Sequence, residues 1–530
     1  MVFPLRRTGS GAFHDTPDDQ GRNPFATLRE PGRRRVTGCA LTGRAGRPAY
    51  HGGVNDAAAP ASARTTLDAA SGDVVRDDAH EATGGPVAFA VQDLRDSAAT
   101  GADLRAVMPR AGAIAKDATA TVTALFERFQ AAPLATVLEM TEQFDGVWLD
   151  HPRVPEEQLD EALARLDPQV EQALRTAIDR VRRFAEATRP ADTEVMMADG
   201  ARVANRWLPV SRVGLYVPGG LAVYPSSLVM NVVPAQAAGV TSIALASPPQ
   251  KAFGGRPHPT ILAAAAMLGI REVYAMGGAQ AVAAFAWGLP GAERADGSTA
   301  APLPAVDVIT GPGNVFVATA KRLVRGRVGI DSEAGTTEIA ILADETADPR
   351  FVAADLISQA EHDPNAASVL ITDSAALVDA VRTALDELVP ATRHAQRVAT
   401  ALGGPQSGAL LVRDLDQGIA VCDAYAAEHL EIHTRDAAGV AARIRNAGAV
   451  FVGPWSPVSL GDYCAGSNHV LPTAGTAAYS SALNTTTFLK AVQYIDYGRE
   501  GLAEVAPVVR ALADAEDLPA HGDAVDIRFA

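Results

Sequence analysis

The chain has 530 residues, of which 48% are hydrophobic, and its formal net charge is −16 at pH 7. A chain of this length exceeds what one hydrophobic core usually needs, so we expect two or more folded units. The negative charge and the lack of an extended basic stripe argue against a nucleic-acid or anionic-membrane surface, because both require dense Lys and Arg. Small molecules are the expected partners.

The cysteine content and the hydropathy of the chain bear on its compartment. The three cysteines, Cys39, Cys422 and Cys464, are too few and too scattered for a disulfide framework, which favours a reducing compartment. No apolar run approaches the length of a membrane span, and the N-terminus lacks the apolar stretch of a secretion signal. We therefore expect a cytoplasmic protein without a membrane partner.

The first 86 residues are rich in Gly, Ala, Arg, Asp and Pro. No sustained hydrophobic period follows the basic run at residues 33–35, so we predict a disordered extension over residues 1–86. A misassigned start codon would also explain this segment. No methionine lies between Met1 and Met108, and a start at Val74 or Val87 would be overlooked.

The pattern of a helical N-terminal region covers residues 87–215, with apolar side chains at three- and four-residue spacing. Two series of short β-rich runs alternating with helical stretches follow, the first assigned to residues 216–337 and the second to 338–473. Such alternation is typical of βαβ units around a parallel sheet. The predicted strands are 213–217, 242–245, 272–275, 306–309, 338–342, 368–372, 429–432 and 449–452.

These elements predict an α/β fold with two doubly wound, incomplete Rossmann-like units, a helical N-terminal region and a C-terminal tail. The tail, residues 474–530, reads as a short helical region and a polar segment that is too small to fold alone. We expect it to pack against another folded body.

The motif Ser358–His362 lies at the end of a predicted helix that begins near Pro349 and is stopped by Pro364. Gln359 and His362 share one face of this helix at i,i+3 spacing, so two potential ligand side chains converge. The alternative is an ordinary polar helix end.

The glycine-punctuated segment Gly461–His469 follows a predicted strand, where α/β folds place ligand-binding groups. It offers the carboxylate of Asp462 and the imidazole of His469. The alternative is a solvated turn capped by Asp. A covalent role for Cys464 is less favoured than a packed thiol.

Glu428 and His429 pair a carboxylate with the side chain best suited to proton transfer near neutral pH. Neighbouring residues on a strand point to opposite faces, so both serve one site only if the strand is just beginning there. Read alone, such a pair is more often structural than catalytic.

Three glycine-rich segments follow predicted strands. Gly311–Asn314 lies between a strand and a helix, a plausible place for a nucleotide phosphate or ribose, although it lacks the full dinucleotide fingerprint. Tyr216–Gly220 and Gly277–Gln280, each read alone, are more typical of turns.

Taken together, these phrases resemble the histidinol dehydrogenase family from about Gln92 to the C-terminus. Several long phrases in one order make chance agreement implausible, whereas residues 1–86 have no counterpart in the resemblance. The matching phrases are Phe144–Gly146, Tyr216–Gly220, Tyr224–Ser227, Gly311–Asn314, Ser358–His362, Glu428–Glu431 and Gly461–Thr473.

The resemblance implies oxidation of L-histidinol to L-histidine through the aldehyde, with two NAD used in succession and one zinc. By motif position it implies a zinc site that also binds substrate, formed by Gln359, His362, Asp462 and His521. In the family the tail completes the active site of the other subunit of a homodimer, so His521 would come from the partner. Zinc has no redox chemistry of its own and would hold the substrate's nitrogen atoms.

The resemblance also implies the other functional positions. His429 would be the base in both hydride transfers and a substrate contact, and Glu428 would activate the water that hydrates the aldehyde. The remaining substrate contacts would be Thr337, His469 and Glu516, and the NAD contacts would be Tyr216, Gln280 and Asn314.

The chain departs from the family pattern at four positions without losing a ligand or a catalytic group. Thr337 stands where Ser is frequent, Thr336 where Pro is common, Val458 where Glu is frequent and Ala427 where Pro is frequent. The alternatives are a related zinc and NAD dehydrogenase acting on another small alcohol, and a non-catalytic zinc-binding homologue. The paired acid and base argue against the second.

Overall fold

The computed structural model describes residues 86–110, 117–219, 223–333 and 335–530. The extension predicted over residues 1–86 lies almost wholly outside these ranges, as does Gly220. The N-terminal part of the described chain contains β1 (Val91–Asp93), α1 (Ala102–Val107), α2 (Asp117–Ala131), α3 (Pro133–Asp145), α4 (Glu156–Ala164), α5 (Pro168–Ala187), β2 (Thr193–Ala198) and β3 (Ala201–Pro209).

The first parallel sheet has the strand order β10-β9-β4-β5-β6 among the described residues. In this sheet β4, β5, β6 and β9 are each followed by a helix before the next strand of the sheet begins. Its elements and a small hairpin are β4 (Arg212–Tyr216), α6 (Pro225–Ala238), β5 (Ser242–Ser247), α7 (Pro259–Met267), β6 (Glu272–Ala275), α8 (Gly278–Trp287), β7 (Ala292–Glu293), β8 (Thr299–Ala300), β9 (Val308–Thr310), α9 (Val315–Val324) and β10 (Gly329–Ile330).

The second parallel sheet has the order β1-β13-β12-β11-β14-β15, so a strand from the N-terminal part forms one edge. Its elements are β11 (Glu338–Ala343), α10 (Pro349–Ala360), β12 (Ala367–Thr372), α11 (Ala375–Leu388), α12 (Ala395–Gly403), β13 (Gly408–Leu411), α13 (Leu415–Tyr425), β14 (His429–His433), α14 (Ala437–Ala441), β15 (Ala449–Val452) and α15 (Val458–Tyr463).

Both sheets are covered on both faces, as the near-continuous apolar strands require. In β11, Ile339 and Ile341 pack in a core with α10 and α11, whereas Ala340 and Leu342 pack in a second core with α13. The first sheet is likewise divided between two cores. The prediction of an α/β fold with two doubly wound parallel sheets is confirmed.

The C-terminal segment contains a strand that the sequence pattern did not predict. It comprises β16 (Leu489–Tyr497), α16 (Arg499–Ala515) and α17 (Pro519–Asp526). β16 pairs antiparallel with β3 along nine residues, which makes a three-stranded sheet with β2. The reading of this segment as a short helical region was therefore incomplete, because β16 pairs with a strand almost 290 residues earlier and local periodicity carries no such information.

No helix among the described residues is long and apolar enough to cross a bilayer.

Candidate metal and catalytic centre

Apart from His521, the predicted metal and catalytic residues lie near the amino ends of two neighbouring strands, β11 and β14. Thr337 immediately precedes β11, and Glu428 immediately precedes β14, which begins with His429. Both side chains can serve one site only if the strand begins at the Glu-His pair, and β14 does begin there. Because α10 runs back from the far end of β11, Gln359 in its last turn returns to the same edge.

The hydroxyl of Thr337 joins a carboxylate to an amide. Its Oγ1 donates to Glu428 Oε2 at 2.6 Å and accepts from Gln359 Nε2 at 2.6 Å. The backbone N–H of Glu338 donates to the same Glu428 oxygen at 2.9 Å. Since Nε2 of Gln359 is engaged, its carbonyl oxygen Oε1 is the atom left over, buried and without a hydrogen-bond partner.

Asp462 lies among three imidazoles. His362 Nε2 is 3.9 Å from Asp462 Oδ2, while His429 Nε2 and His469 Nδ1 lie 4.0 Å and 3.9 Å from Oδ1. These distances are too long for hydrogen bonds. The Asp462 carboxylate therefore lies near all three rings without forming a hydrogen bond to any of them.

His429 has one engaged and one available nitrogen. Its Nδ1 donates to the Glu338 carbonyl at 3.2 Å, and its buried Nε2 has no hydrogen-bond partner. The ring is therefore held in the tautomer whose Nε2 lone pair can accept a proton. Burial raises the pKa of Glu428 above its usual range, and the neighbouring His429 and the Thr337 hydroxyl partly offset that shift.

His469 connects the two sheets. Its Nδ1 donates to the Asp462 carbonyl at 2.8 Å, and its Nε2 accepts from the hydroxyl of Ser227 on α6 at 3.1 Å. Asn468 reinforces this link by donating from Nδ2 to the Met230 carbonyl at 2.6 Å. The Tyr224–Ser227 phrase thus has a structural role at the boundary between the two sheets.

The segment that carries Asp462 was partly misread from the sequence. We predicted a glycine-punctuated loop, but Asp462 lies on the short helix α15. Gly461 is needed there for packing, since a Cβ at this position would lie 2.6 Å from the ring of Phe451 on β15. The departure Val458 is the first residue of α15 and is 1% exposed, so it contributes to the core.

Glu516 and His521 lie in the C-terminal segment, at the end of α16 and on α17, and not on the elements that carry this group. Both are exposed, and α17, which carries His521, packs on α16. Across the described ranges, no hydrogen bond or ion pair joins either side chain to Gln359, His362 or Asp462. If His521 binds zinc as predicted, something other than the fold of its own chain must bring it to the site, such as a second subunit.

The predicted nucleotide contacts gather at the carboxyl edge of the first sheet. Tyr216 ends β4, and its hydroxyl accepts from the Gly278 N–H at 3.2 Å. Gln280 is buried in the first turn of α8, and Asn314 caps α9 by accepting from the N–H groups of Phe316 and Val317 at 3.1 Å. The three positions thus lie after three different strands, at the edge where doubly wound sheets bind nucleotides.

A buried ion pair that the sequence did not reveal supports the Gly311–Asn314 segment. Lys321, 1% exposed, pairs with Asp331 and donates to the Gly311 carbonyl at 2.9 Å, while Asp331 accepts from the Gly311 N–H at 2.8 Å. Gly311 has φ of 115°, and a Cβ there would collide with the Tyr216 carbonyl. This glycine lets the two predicted nucleotide-contact segments approach each other.

Two further groups beside the site were not predicted. Arg110 lies 4.3 Å from the centroid of the Tyr425 ring, with Nη1 3.8 Å from Glu338 Oε2, and burial raises the pKa of Glu338 to about 7. The second group, Asp355, Glu431 and His433, is buried and has its ligand atoms within 4.8 Å of one another. No local motif marks these residues, because they come from distant parts of the chain or alternate along a strand.

The sequence profile described as histidinol dehydrogenase matches residues 108–529. The chain belongs to the histidinol dehydrogenase family. The histidinol dehydrogenase of Nocardia farcinica is 59% identical over 437 residues, 82% of this chain and 97% of the relative, and that of Thermobifida fusca is 57% identical over the same shares.

A solved structure agrees with this membership of the histidinol dehydrogenase family. The crystal structure of histidinol dehydrogenase from Elizabethkingia anophelis has a TM-score of 0.77 and 29% identity, and covers 84% of this chain and 99% of that chain. The predicted family and its oxidoreductase class are confirmed.

The Thr337 hydroxyl gives a direct test of the site's internal support. Thr337→Val should lower the melting temperature, because it leaves the Gln359 amide unpaired at a cost of about 1–3 kcal/mol. Thr337→Ser keeps the hydroxyl and should stay close to the parent protein in thermal unfolding. Equal melting temperatures for the Val and Ser variants would contradict the role assigned to the hydroxyl.

Proposed function

We propose that the protein oxidises L-histidinol to L-histidine through the aldehyde and reduces two NAD in the process. Each active site would hold one zinc ion, which is not itself reduced. The observation that carries the proposal is the convergence of Gln359, His362 and Asp462 with the acid-base pair Glu428 and His429 in a member of this family. The alternative of a non-catalytic homologue gives no reason for an available Nε2 on His429 beside these ligands.

The donor set fits zinc. Gln359 offers a buried carbonyl oxygen that has no other partner, Asp462 a carboxylate and His362 an imidazole nitrogen. Nitrogen and oxygen donors of this kind, with a fourth position from His521 of the partner subunit, suit the tetrahedral preference of zinc. When bound, zinc would hold the imidazole and amine nitrogens of the substrate.

His429 is proposed as the base in both oxidation steps. In the first, Nε2 takes the hydroxyl proton as the carbon-bound hydrogen leaves with its electron pair for the nicotinamide, which leaves an aldehyde. In the second, the same atom takes a hydroxyl proton from the aldehyde hydrate while a second hydride leaves. The products are the carboxylic acid and two NADH.

Glu428 is proposed as the base that activates water between the two oxidations. Addition of water to the aldehyde changes no oxidation state: a base takes a proton from the water as its oxygen bonds to the carbonyl carbon. The carbonyl oxygen takes up the proton that His429 Nε2 gained in the first oxidation, which frees that nitrogen for the second. Burial favours the protonated form of Glu428, which makes its carboxylate a stronger base than an exposed one. The hydroxyl of Thr337 and the Glu338 N–H orient that carboxylate.

The remaining proposed contacts are those with NAD and with the substrate. We propose Tyr216, Gln280 and Asn314 for NAD, and Thr337, His469 and Glu516 for substrate. Because Glu516 and His521 are exposed and separate from the other site residues of the same chain, we propose a homodimer in which the tail completes the partner's site. A cytoplasmic location stays a prediction.

The division of labour between Glu428 and His429 can be measured. With the parent protein we expect two NADH and one histidine per L-histidinol. His429→Ala should lose both oxidations by about 10²–10⁴-fold, whereas Glu428→Gln, which keeps the side-chain size, should mainly slow oxidation of supplied aldehyde. NADH formation from histidinol and from the aldehyde gives the two rates.

The assay also includes competing outcomes. Equal losses in both steps for Glu428→Gln would contradict the assigned roles. Faster turnover of another amino alcohol would favour the related dehydrogenase, and no NADH from any alcohol would reject the proposed function.

The shared site predicts complementation between inactive variants. His521→Ala and His362→Ala should each be inactive as homodimers, because each lacks a zinc ligand. Their heterodimer should regain one of two sites, built from His362 of one chain and His521 of the other. Activity is measured on purified, differently tagged heterodimer, and no recovery there would mean that the tail serves its own chain.

A further inference from the structure

A buried cluster lies behind the metal and catalytic side chains, on the same three elements. On β14, Glu431 and His433 follow His429 at two-residue spacing and therefore share its face of the strand. On α10, Asp355 precedes Gln359 by one helical turn. The cluster residues thus occupy the next positions along the same strand and helix faces as His429 and Gln359.

The third element, α15, is tied to the cluster by its first residue. Glu431 Oε1 accepts from the Val458 N–H at 2.7 Å. Val458 precedes Asp462 by one helical turn, so this bond fixes the start of the short helix that presents Asp462. The first N–H groups of a helix have no partner within the helix, and here a fully buried carboxylate supplies one.

Glu431 also contacts the other two members of the cluster. The ligand atoms of Glu431, Asp355 and His433 lie within 4.8 Å of one another, and Glu431 Oε2, which is 3.3 Å from His433 Nε2, has no hydrogen-bond partner. In the described part of the chain, no Lys or Arg side chain pairs with either carboxylate. Two adjacent buried carboxylates cannot both carry a charge at low cost, so either a proton or a cation must be shared between them.

A shared proton meets this requirement without a metal ion, because burial, with the nearby Glu431 carboxylate adding to it, raises the pKa of Asp355 to about 8. A protonated Asp355 donating to Glu431 leaves Glu431 Oε1 free to hold the Val458 N–H. The cluster is then a set of hydrogen bonds between α10, β14 and α15.

We propose that Glu431 is a positioning residue that sets the relative placement of Asp462, His429 and Gln359. It does so by binding the start of α15 to β14 while contacting α10 through Asp355. The expected change in zinc affinity rests on the proposed function. The expected change in backbone order of α15 does not. Groups behind metal ligands commonly change metal affinity by about 10–100-fold.

The test uses a size-matched pair of variants in the full chain. Glu431→Met keeps the bulk of the side chain but removes the acceptor, whereas Glu431→Gln retains an oxygen for Val458 and a donor for Asp355. Two quantities are measured: hydrogen exchange of the backbone amides in residues 458–463, and zinc affinity by competition with a chelator.

Glu431→Met should speed exchange in α15 and weaken zinc binding by about 10–100-fold, and Glu431→Gln should restore most of both. Ile432→Ala is the structural control, because Ile432 is equally buried on the opposite face of the same strand. It should lower the melting temperature without changing zinc affinity.

A second variant covers a failure of Glu431→Met to fold. Val458→Pro removes the donated N–H at the first helical position, where proline is tolerated, and Pro457 before it is already extended. It should weaken zinc binding and speed α15 exchange in the same direction.

Three outcomes have distinct meanings. If Glu431→Met behaves like Ile432→Ala, with unchanged zinc affinity and unchanged α15 exchange, the proposal is wrong. If the parent protein holds two zinc ions and Glu431→Met loses one, the cluster is a cation site and the proposal is also wrong. If the parent protein binds no zinc, the proposed function fails, and α15 exchange in the Met and Gln variants still decides the positioning role.

Discussion

The arrangement of the site depends on one hydroxyl that both donates and accepts. Thr337 Oγ1 donates to Glu428 and accepts from the Gln359 amide, so one atom orients a carboxylate before β14 and an amide at the end of α10. The consequence for Gln359 is chemical, because the engaged nitrogen leaves its buried carbonyl oxygen as the ligand atom. Serine could provide the same two hydrogen bonds, so the hydroxyl of Thr337 and not its methyl group is the part that this role requires.

The two sheets carry their predicted functional groups at opposite strand ends. The predicted nucleotide contacts lie at the carboxyl edge of the first sheet, as is usual for doubly wound folds. The proposed metal and acid-base groups lie at the amino edge of the second, at the starts of β11 and β14. The contacts of His469 and Asn468 with α6 join the two regions. In the proposed reaction, substrate held by the second sheet gives a hydride to NAD held by the first. That transfer requires the two regions to be joined in this way.

Much of this could be predicted from local sequence, and the exceptions have physical causes. The eight predicted strands occur because their apolar runs are bounded by turn residues, although the one expected at 306–309 is found at Val308–Thr310. The other eight described strands were missed. β1, β13 and β16 each pair with a strand hundreds of residues away, β2 and β3 have few buried residues, and β7, β8 and β10 are two residues long. Asp462 was assigned to a loop because Gly461 looked like a turn signal, whereas the glycine allows α15 to pack on Phe451. Glu431 was invisible as a functional candidate, since its role depends on a bond to Val458.

The central claim is that Gln359, His362 and Asp462 of one chain hold a zinc ion together with His521 of the partner subunit. The most direct measurement is anomalous diffraction above and below the zinc absorption edge, from crystals of the zinc-loaded protein. We predict one peak per chain, about 2.0–2.2 Å from Gln359 Oε1 and from the His362 and Asp462 ligand atoms. A peak among Asp355, Glu431 and His433 instead, or none beside Gln359, would contradict it.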